Sequence, residues 1–207
     1  TTLFNVISGL LTPDRGEVLL DGEDITGIPG KVSYMLQKDL LLPYRTVEDN
    51  VALPLVIGGM KKKRGEAEVA PYFEEFGLLG TEKKYPAQLS GGMRQRAALL
   101  RTYLFSDRLA LLDEPFSALD TLTKRAMHRW YLDVMEQIHL STIFITHDID
   151  EAVLLSDRIY ILGGNRGGLS MRSASKSQDR DRMTFQLTDR FLFYKKRILQ
   201  TIEESEE

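Results

Sequence analysis

Residues 89–120, LSGGMRQRAALLRTYLFSDRLALLDEPFSALD, decide how the rest of the chain is read. Leu109, Ala110, Leu111 and Leu112 form an apolar run without alternation, the pattern of a strand covered on both faces. The run ends in Asp113 and Glu114, and Pro115, which lacks a backbone donor, closes it. Ligands of open α/β sheets bind outside the carboxyl ends of the strands, so the acidic pair falls where chemistry is expected. Successive side chains on a strand point to opposite faces, so the two carboxylates are expected to face differently and take separate jobs. One can hold Mg²⁺, and the other can orient or deprotonate an attacking water.

Asp-Glu-Pro alone is an ordinary polar strand exit, and the preceding stretch changes its meaning. Ser90 is a good N-cap for a helix starting near Met93, and Gly91 and Gly92 let backbone amides approach a ligand closely. A helix N-terminus, with free amides and the positive end of its dipole, suits an anion. A bare Ser-Gly-Gly indicates no more than a capped helix. LSGGMRQR, then LALLDEP, then SALD, in that order, is far more specific.

These three motifs resemble those of the ATP-binding-cassette ATPases. Residues 89–95 resemble the family's signature motif, 109–114 its Walker B strand and 117–120 its D-loop. The resemblance implies an α/β fold of the P-loop NTPase, RecA-like kind, with a helical subdomain inserted into the sheet core. It implies ATP and Mg²⁺ as cofactors. In that reading Asp113 holds the metal and Glu114 polarises the water that attacks the γ-phosphate. Ser90, Gly91, Gly92 and Gln95 contact nucleotide from the signature, and Asp120 lies where two cassettes join.

At the start of the chain, Thr1 and Thr2 run into a helical pattern with Leu3, Phe4, Ile7 and Leu10 at helix spacing. Taken alone this is a Thr-capped helix. The resemblance makes it the tail of the phosphate loop G-x-x-x-x-G-K-[ST], with Thr1 a Mg²⁺ ligand and Thr2 beside the α-phosphate. The rest of that loop, its Lys and the strands before it are missing from the sequence. Neither Gly30-Lys31 nor 163–168, which reads as a turn, supplies a substitute. The chain is therefore expected to be truncated within that motif and nearly inactive by itself. Residues 16–22 (GEVLLDG) read as a strand with its exit turn, and 32–36 as a strand ending at Gln37. A lone Gln at a strand end is usually a surface residue. The resemblance makes Gln37 the Q-loop glutamine, which touches Mg²⁺ and the attacking water.

The stretch MLQKDLLLPYRTVEDNVALPL (35–55) is similar to the cassettes of bacterial importers for nitrate, sulfonates, taurine and pyrimidine precursors, with Tyr44 where those often carry Trp. Leu40, Leu41 and Leu42 read equally as core or as the lining of a groove that receives a partner's short helix. Residues 46–57 and 64–76 read as helices broken at Gly58-Gly59 and Gly77, and Lys61-Lys62-Lys63-Arg64 as a solvated face. Residues 122–138 form an amphipathic helix in which His128 and Trp130 are structural. A buried β-branched strand is expected over 142–146, followed by a capping box at 148–151. The resemblance identifies His147, between them, as the switch histidine that contacts the γ-phosphate. Residues 158–162 are the last expected strand, 170–183 are expected to be poorly ordered, 185–202 read as helix and EESEE as a solvated tail. The whole chain is expected to be one cassette domain. Its α/β core covers 1–44 and 107–168, its helical subdomain 45–106, and a mostly helical extension 169–207.

At 207 residues, with 43% apolar and 28% charged residues, the chain can bury a core and is not of disordered composition. A net charge of −3 argues against nucleic acid as a partner. The absence of cysteine excludes disulfides and Cys-based metal sites. No apolar run approaches the ~20 residues of a membrane span, so membrane association has to pass through a partner. The resemblance implies a homodimer of cassettes, docked under a transmembrane permease subunit at the cytoplasmic face of the cell membrane. A substrate-binding protein enters indirectly. The rival readings are a cassette ATPase not coupled to transport, as in repair or translation, and a non-catalytic subunit. Neither an interruption between Gln37 and Leu89 nor a duplicated cassette supports the first, and the intact remaining positions oppose the second.

Overall fold

A parallel three-stranded sheet, ordered β3-β4-β5, carries the carboxylates that the sequence marks out. Its strands are β3 (Ser33–Met35), β4 (Leu109–Asp113) and β5 (Ser141–Ile145). In this computed structural model, residues 1–106, 108–163, 168–172 and 182–206 are described. They form two compact units, Thr1–Ile145 and Thr146–Glu207.

β4 is the central strand, and Ala110 to Asp113 are all buried, as its continuous apolar run requires. Met35 pairs with Leu112, and Asp113 with Ile145, so all three strands end at one level. β5 departs from expectation. It is only partly buried, with Ile143 43% exposed, because among the described residues it pairs on one side only. Below the sheet, α1 (Thr2–Ile7) inserts Phe4 into a cluster with Ile25, Val32 and Leu111. Gly9 ends this helix where a Cβ would come within 2.4 Å of the Ile28 carbonyl, so only glycine fits.

The stretch read as one strand over 16–22 is a tight hairpin, β1 (Leu19–Leu20) against β2 (Glu23–Asp24). Asp21 (φ 52°) and Gly22 (φ 84°) form its two-residue turn, the doubly left-handed conformation that an Asp-Gly pair favours.

Residues 46–103 carry α2 (Val47–Val51), α3 (Leu53–Ile57), α4 (Lys62–Val69), α5 (Tyr72–Glu75) and α6 (Gly91–Tyr103). The two longer helices expected here are each split, at Ala52 ahead of Pro54 and at Ala70-Pro71, where proline removes a donor. Phe73, Phe76 and Leu78 are fully buried, and Phe76 packs against Tyr103 and Trp130 at 6.1 and 5.8 Å. Lys62 pairs with Asp49 and Glu66, and Lys83 with Glu48, on the surface, in keeping with a solvated basic face. α7 (Thr121–Ile138) packs His128 edge-on to Phe116 at 5.0 Å and Trp130 beneath the Arg96 guanidinium at 4.8 Å. Both residues are structural, as expected.

The second unit holds α8 (Ile149–Leu155), β6 (Ile159–Gly163), β7 (Gly168–Arg172), α9 (Arg182–Phe185) and α10 (Asp189–Glu206). Asp148 caps α8 by accepting the Asp150 and Glu151 N–H groups, while Glu151 accepts the Thr146 hydroxyl at 2.7 Å. β7, which pairs antiparallel with β6, was not anticipated, and it occupies the first residues of the stretch expected to be poorly ordered. The C-terminal helix runs on to Glu206 through the residues expected to be a tail. The turn expected at 163–168 and the polar stretch 170–183 fall largely on 164–167 and 173–181, outside the described residues.

Candidate functional site

Thr1 flanks α1, yet its side chain makes no capping bond. Its hydroxyl instead donates to Asp113 Oδ2 at 2.9 Å, across the gap between α1 and the end of β4. The plain cap is thereby set aside. Tyr34, on β3, donates its hydroxyl to the same oxygen at 3.3 Å. Burial, then the Asp113 charge and the bond to it, push the Tyr34 pKa up to about 12. Tyr34 was missed in the sequence, since a tyrosine within an apolar strand carries no signal beyond β propensity.

Glu114 leaves the strand differently from Asp113. Its backbone is left-handed (φ 48°), and its N–H still reaches the Ile145 carbonyl at 2.9 Å. Such a conformation in a non-glycine residue is unfavourable, and strain of this kind gathers at functional sites. Its carbonyl accepts the Ser117 N–H and hydroxyl, at 3.2 and 3.0 Å. Its carboxylate receives Gln37 Nε2 at 2.9 Å. The β3–β4 register, carried two residues past Met35 and Leu112, brings Gln37 level with Glu114. The two carboxylates therefore have different partners, as alternation along the strand led us to expect.

The signature residues form a second cluster. Ser90 caps α6 by accepting the Met93 N–H at 3.3 Å, and the helix begins at Gly91, two residues before the expected Met93. A Cβ on Gly91 would meet Leu119 at 3.5 Å, and one on Gly92 would meet Thr123 at 3.3 Å and Met127 at 3.5 Å. Gly92 is thus needed for the close approach of α6 to α7. Asp120 caps α7 by accepting the Thr123 N–H at 3.1 Å, and hydrogen bonding to Thr123 holds its carboxyl below the usual range.

Gln95 lies apart from the other signature residues. It is 6% exposed and lines a small cavity with Met35, Leu112, Phe116 and Met127. Among the described residues, its Oε1 has no hydrogen-bond partner. Helix periodicity turns its side chain inward. Thr2 is exposed at the first turn of α1. His147, also exposed, lies two residues past β5, in the second unit. The structure thus gathers Thr1, Gln37, Asp113 and Glu114, with Tyr34 added. It sets Gly91 and Gly92 against Leu119, Thr123 and Met127.

The donor set fits Mg²⁺ with a phosphate ligand. A hydroxyl and a single carboxylate lie side by side, and this hard cation usually takes one or two carboxylates and fills its shell with phosphate oxygens and water. Among the described residues, no group of three or more His, Cys, Asp or Glu is placed to hold a metal unaided.

A parallel sheet ending in such a carboxylate pair, beside a Ser-Gly-Gly helix start, defines an ATP-binding cassette. The chain belongs to the ABC transporter family, whose profile matches residues 1–117. It is similar to the formylaminopyrimidine import ATP-binding protein ThiZ of Halalkalibacterium halodurans, at 50% identity over 161 residues, 78% of this chain and 62% of that protein. It is also similar to the aliphatic sulfonates import ATP-binding protein SsuB of Bacillus cereus, at 41% identity over 167 residues, 81% of this chain and 65% of that one. The chain spans less than two thirds of the length of both relatives. Its fold is that of CbiO1 from Clostridium perfringens, part of the ABC transporter complex CbiONQ. That likeness has a TM-score of 0.69 at 21% identity, covering 84% of this chain and 69% of that one. No helix among the described residues is long and apolar enough to cross a membrane.

Proposed function

We propose that this chain is part of an ATP-hydrolysing subunit that drives a bacterial importer of a small solute, of the nitrate, sulfonate, taurine or pyrimidine-precursor kind. The observation that carries the proposal is the pairing of Thr1 with Asp113 and of Gln37 with Glu114 at the ends of adjacent strands, each at 2.9 Å. The names of the import relatives support the transport class.

Thr1, Asp113 and Gln37 hold Mg²⁺ in this reading. When bound, the ion neutralises charge on the phosphate oxygens. Glu114 orients and polarises the attacking water, with its carboxylate aimed by Gln37. His147 contacts the γ-phosphate, and Thr2 the α-phosphate. Ser90, Gly91 and Gly92 present the N-terminus of α6 to the nucleotide held by a second copy, and Asp120 lies at that joint. The partners are therefore a second cassette and a transmembrane permease subunit at the cytoplasmic face of the membrane, with a substrate-binding protein acting indirectly.

The test is Glu114→Gln in the full-length protein. Turnover of Mg-ATP is expected to fall ~100-fold or more while nucleotide still binds, as for loss of one preorganised group. ATP-loaded Glu114→Gln is expected to dimerise. An undiminished rate rejects Glu114 as the water-polarising group, and a monomer at high concentration rejects the shared site.

A further inference from the structure

The segment after Gln37 leaves β3 in a conformation that its own residues disfavour. Leu40 is left-handed (φ 45°) although its side chain is half exposed. Arg101, on α6, holds it there. Arg101 Nη1 donates to the Leu40 carbonyl at 2.8 Å and Nη2 to the Asp39 carbonyl at 2.5 Å. On the same helix, Arg94 Nε donates to Asp39 Oδ2 at 3.2 Å, and Asp39 Oδ1 accepts the Leu41 N–H at 3.1 Å. Buried Asn50 of α2 fixes the far end, accepting the Leu42 N–H at 2.6 Å and donating to the Leu42 carbonyl at 3.1 Å.

Gln37 lies two residues before Asp39, with its amide on Glu114. We infer that Arg101 is a positioning residue for the hydrolytic site. It sets the backbone of the 39–40 segment so that Gln37 is delivered to Glu114, and it ties that geometry to the helix whose N-terminus carries Ser90. The inference rests on the roles given above to Gln37 and Glu114. Its chemistry is specific to arginine. A planar guanidinium offers two fixed, divergent donors to neighbouring carbonyls, whereas an ammonium is a single point of charge. Burial pulls the Arg101 pKa down, opposed by the Asp39 charge.

The experiment is steady-state ATPase kinetics on the full-length protein carrying Arg101→Met, Arg101→Lys or Leu40→Pro, with thermal melts alongside. Arg101→Met is expected to lower kcat about tenfold or more while KM for ATP stays within about threefold, the signature of a group that leaves substrate binding alone. Arg101→Lys is expected to fall between it and the parent. Leu40→Pro fixes φ near −65°, against the observed sign, in an exposed loop position whose N–H makes no hydrogen bond among the described residues. It is expected to reproduce the fall in kcat without a large drop in melting temperature. A folded Arg101→Met protein with the parental kcat overturns the inference. If Arg101→Met fails to fold, Leu40→Pro decides: lowered kcat at parental KM upholds the inference, and parental kcat overturns it. Glu114→Gln serves as the control. If it is inactive while these variants are parental, only the positioning role fails; if it too keeps the parental rate, the reading of the site fails as well.

Discussion

Thr1 Oγ1 lies 2.9 Å from Asp113 Oδ2, joining residues 112 apart in sequence across the end of the sheet. Thr1 opens a helix of only six residues, and its hydroxyl is turned away from that helix towards the buried carboxylate. Tyr34 bonds the same oxygen, and among the described residues Asp113 Oδ1 accepts no hydrogen bond. In the proposed site, Oδ1 is thus the oxygen left for a cation or its water.

Thr1→Val keeps the shape of the side chain and removes the hydroxyl. A hydrogen bond to a charged group contributes about 1.5–3 kcal/mol, so Mg²⁺-dependent nucleotide affinity is expected to drop about tenfold or more. Calorimetric titration of the full-length protein, with and without Mg²⁺, measures this. Equal affinity of Thr1→Val and the parent in Mg²⁺ removes Thr1 from the metal site.

Gly92 is the contact point of α6 with α7, and its Cβ position is already 3.3 Å from Thr123. Gly92→Val forces the helices apart, at a cost of about 1–3 kcal/mol for overpacking. A urea melt is expected to show a lowered midpoint at pH 7. An unchanged midpoint indicates that the glycine is dispensable for packing, leaving its role to nucleotide alone.

Tyr34 makes stability depend on alkaline pH. Its pKa rises from an ordinary 10.0 to about 12 in the folded protein. Below pH 10 both states keep the proton, and the contribution is complete. As pH climbs from 10 towards 12, the unfolded chain releases its proton first, so folding weakens across that interval. Denaturant midpoints of the metal-free protein are expected to decline between about pH 10 and about pH 12 more steeply for the parent than for Tyr34→Phe. Parallel declines dispose of the Tyr34 contribution.

Much of this site was legible because its parts are short and local. The buried run 109–112 and the acidic pair after it require one central parallel strand, and β4 is that strand. Ser90 and Asp120 cap their helices by contacts within three residues, the range over which sequence pattern is informative. The failures have physical causes. The strand read over 16–22 ignored that Asp21-Gly22 is itself a turn, and the inward face of Gln95 went unremarked because the motif alone was read. β5 was expected to be buried because its residues are β-branched, but burial depends on which neighbours pair with it.

The sequence by itself determined the family, the central strand and the acidic pair at its end, since these follow from motifs, periodicity and capping along the chain. Only the tertiary structure decided that Thr1 and Tyr34 share one oxygen of Asp113, that Gln37 meets Glu114, and that Arg101 holds Leu40 left-handed. Each of these contacts joins segments brought together by strand register and helix packing. No local preference along the chain encodes them, because the partner atoms become neighbours only when the sheet and α6 are in place.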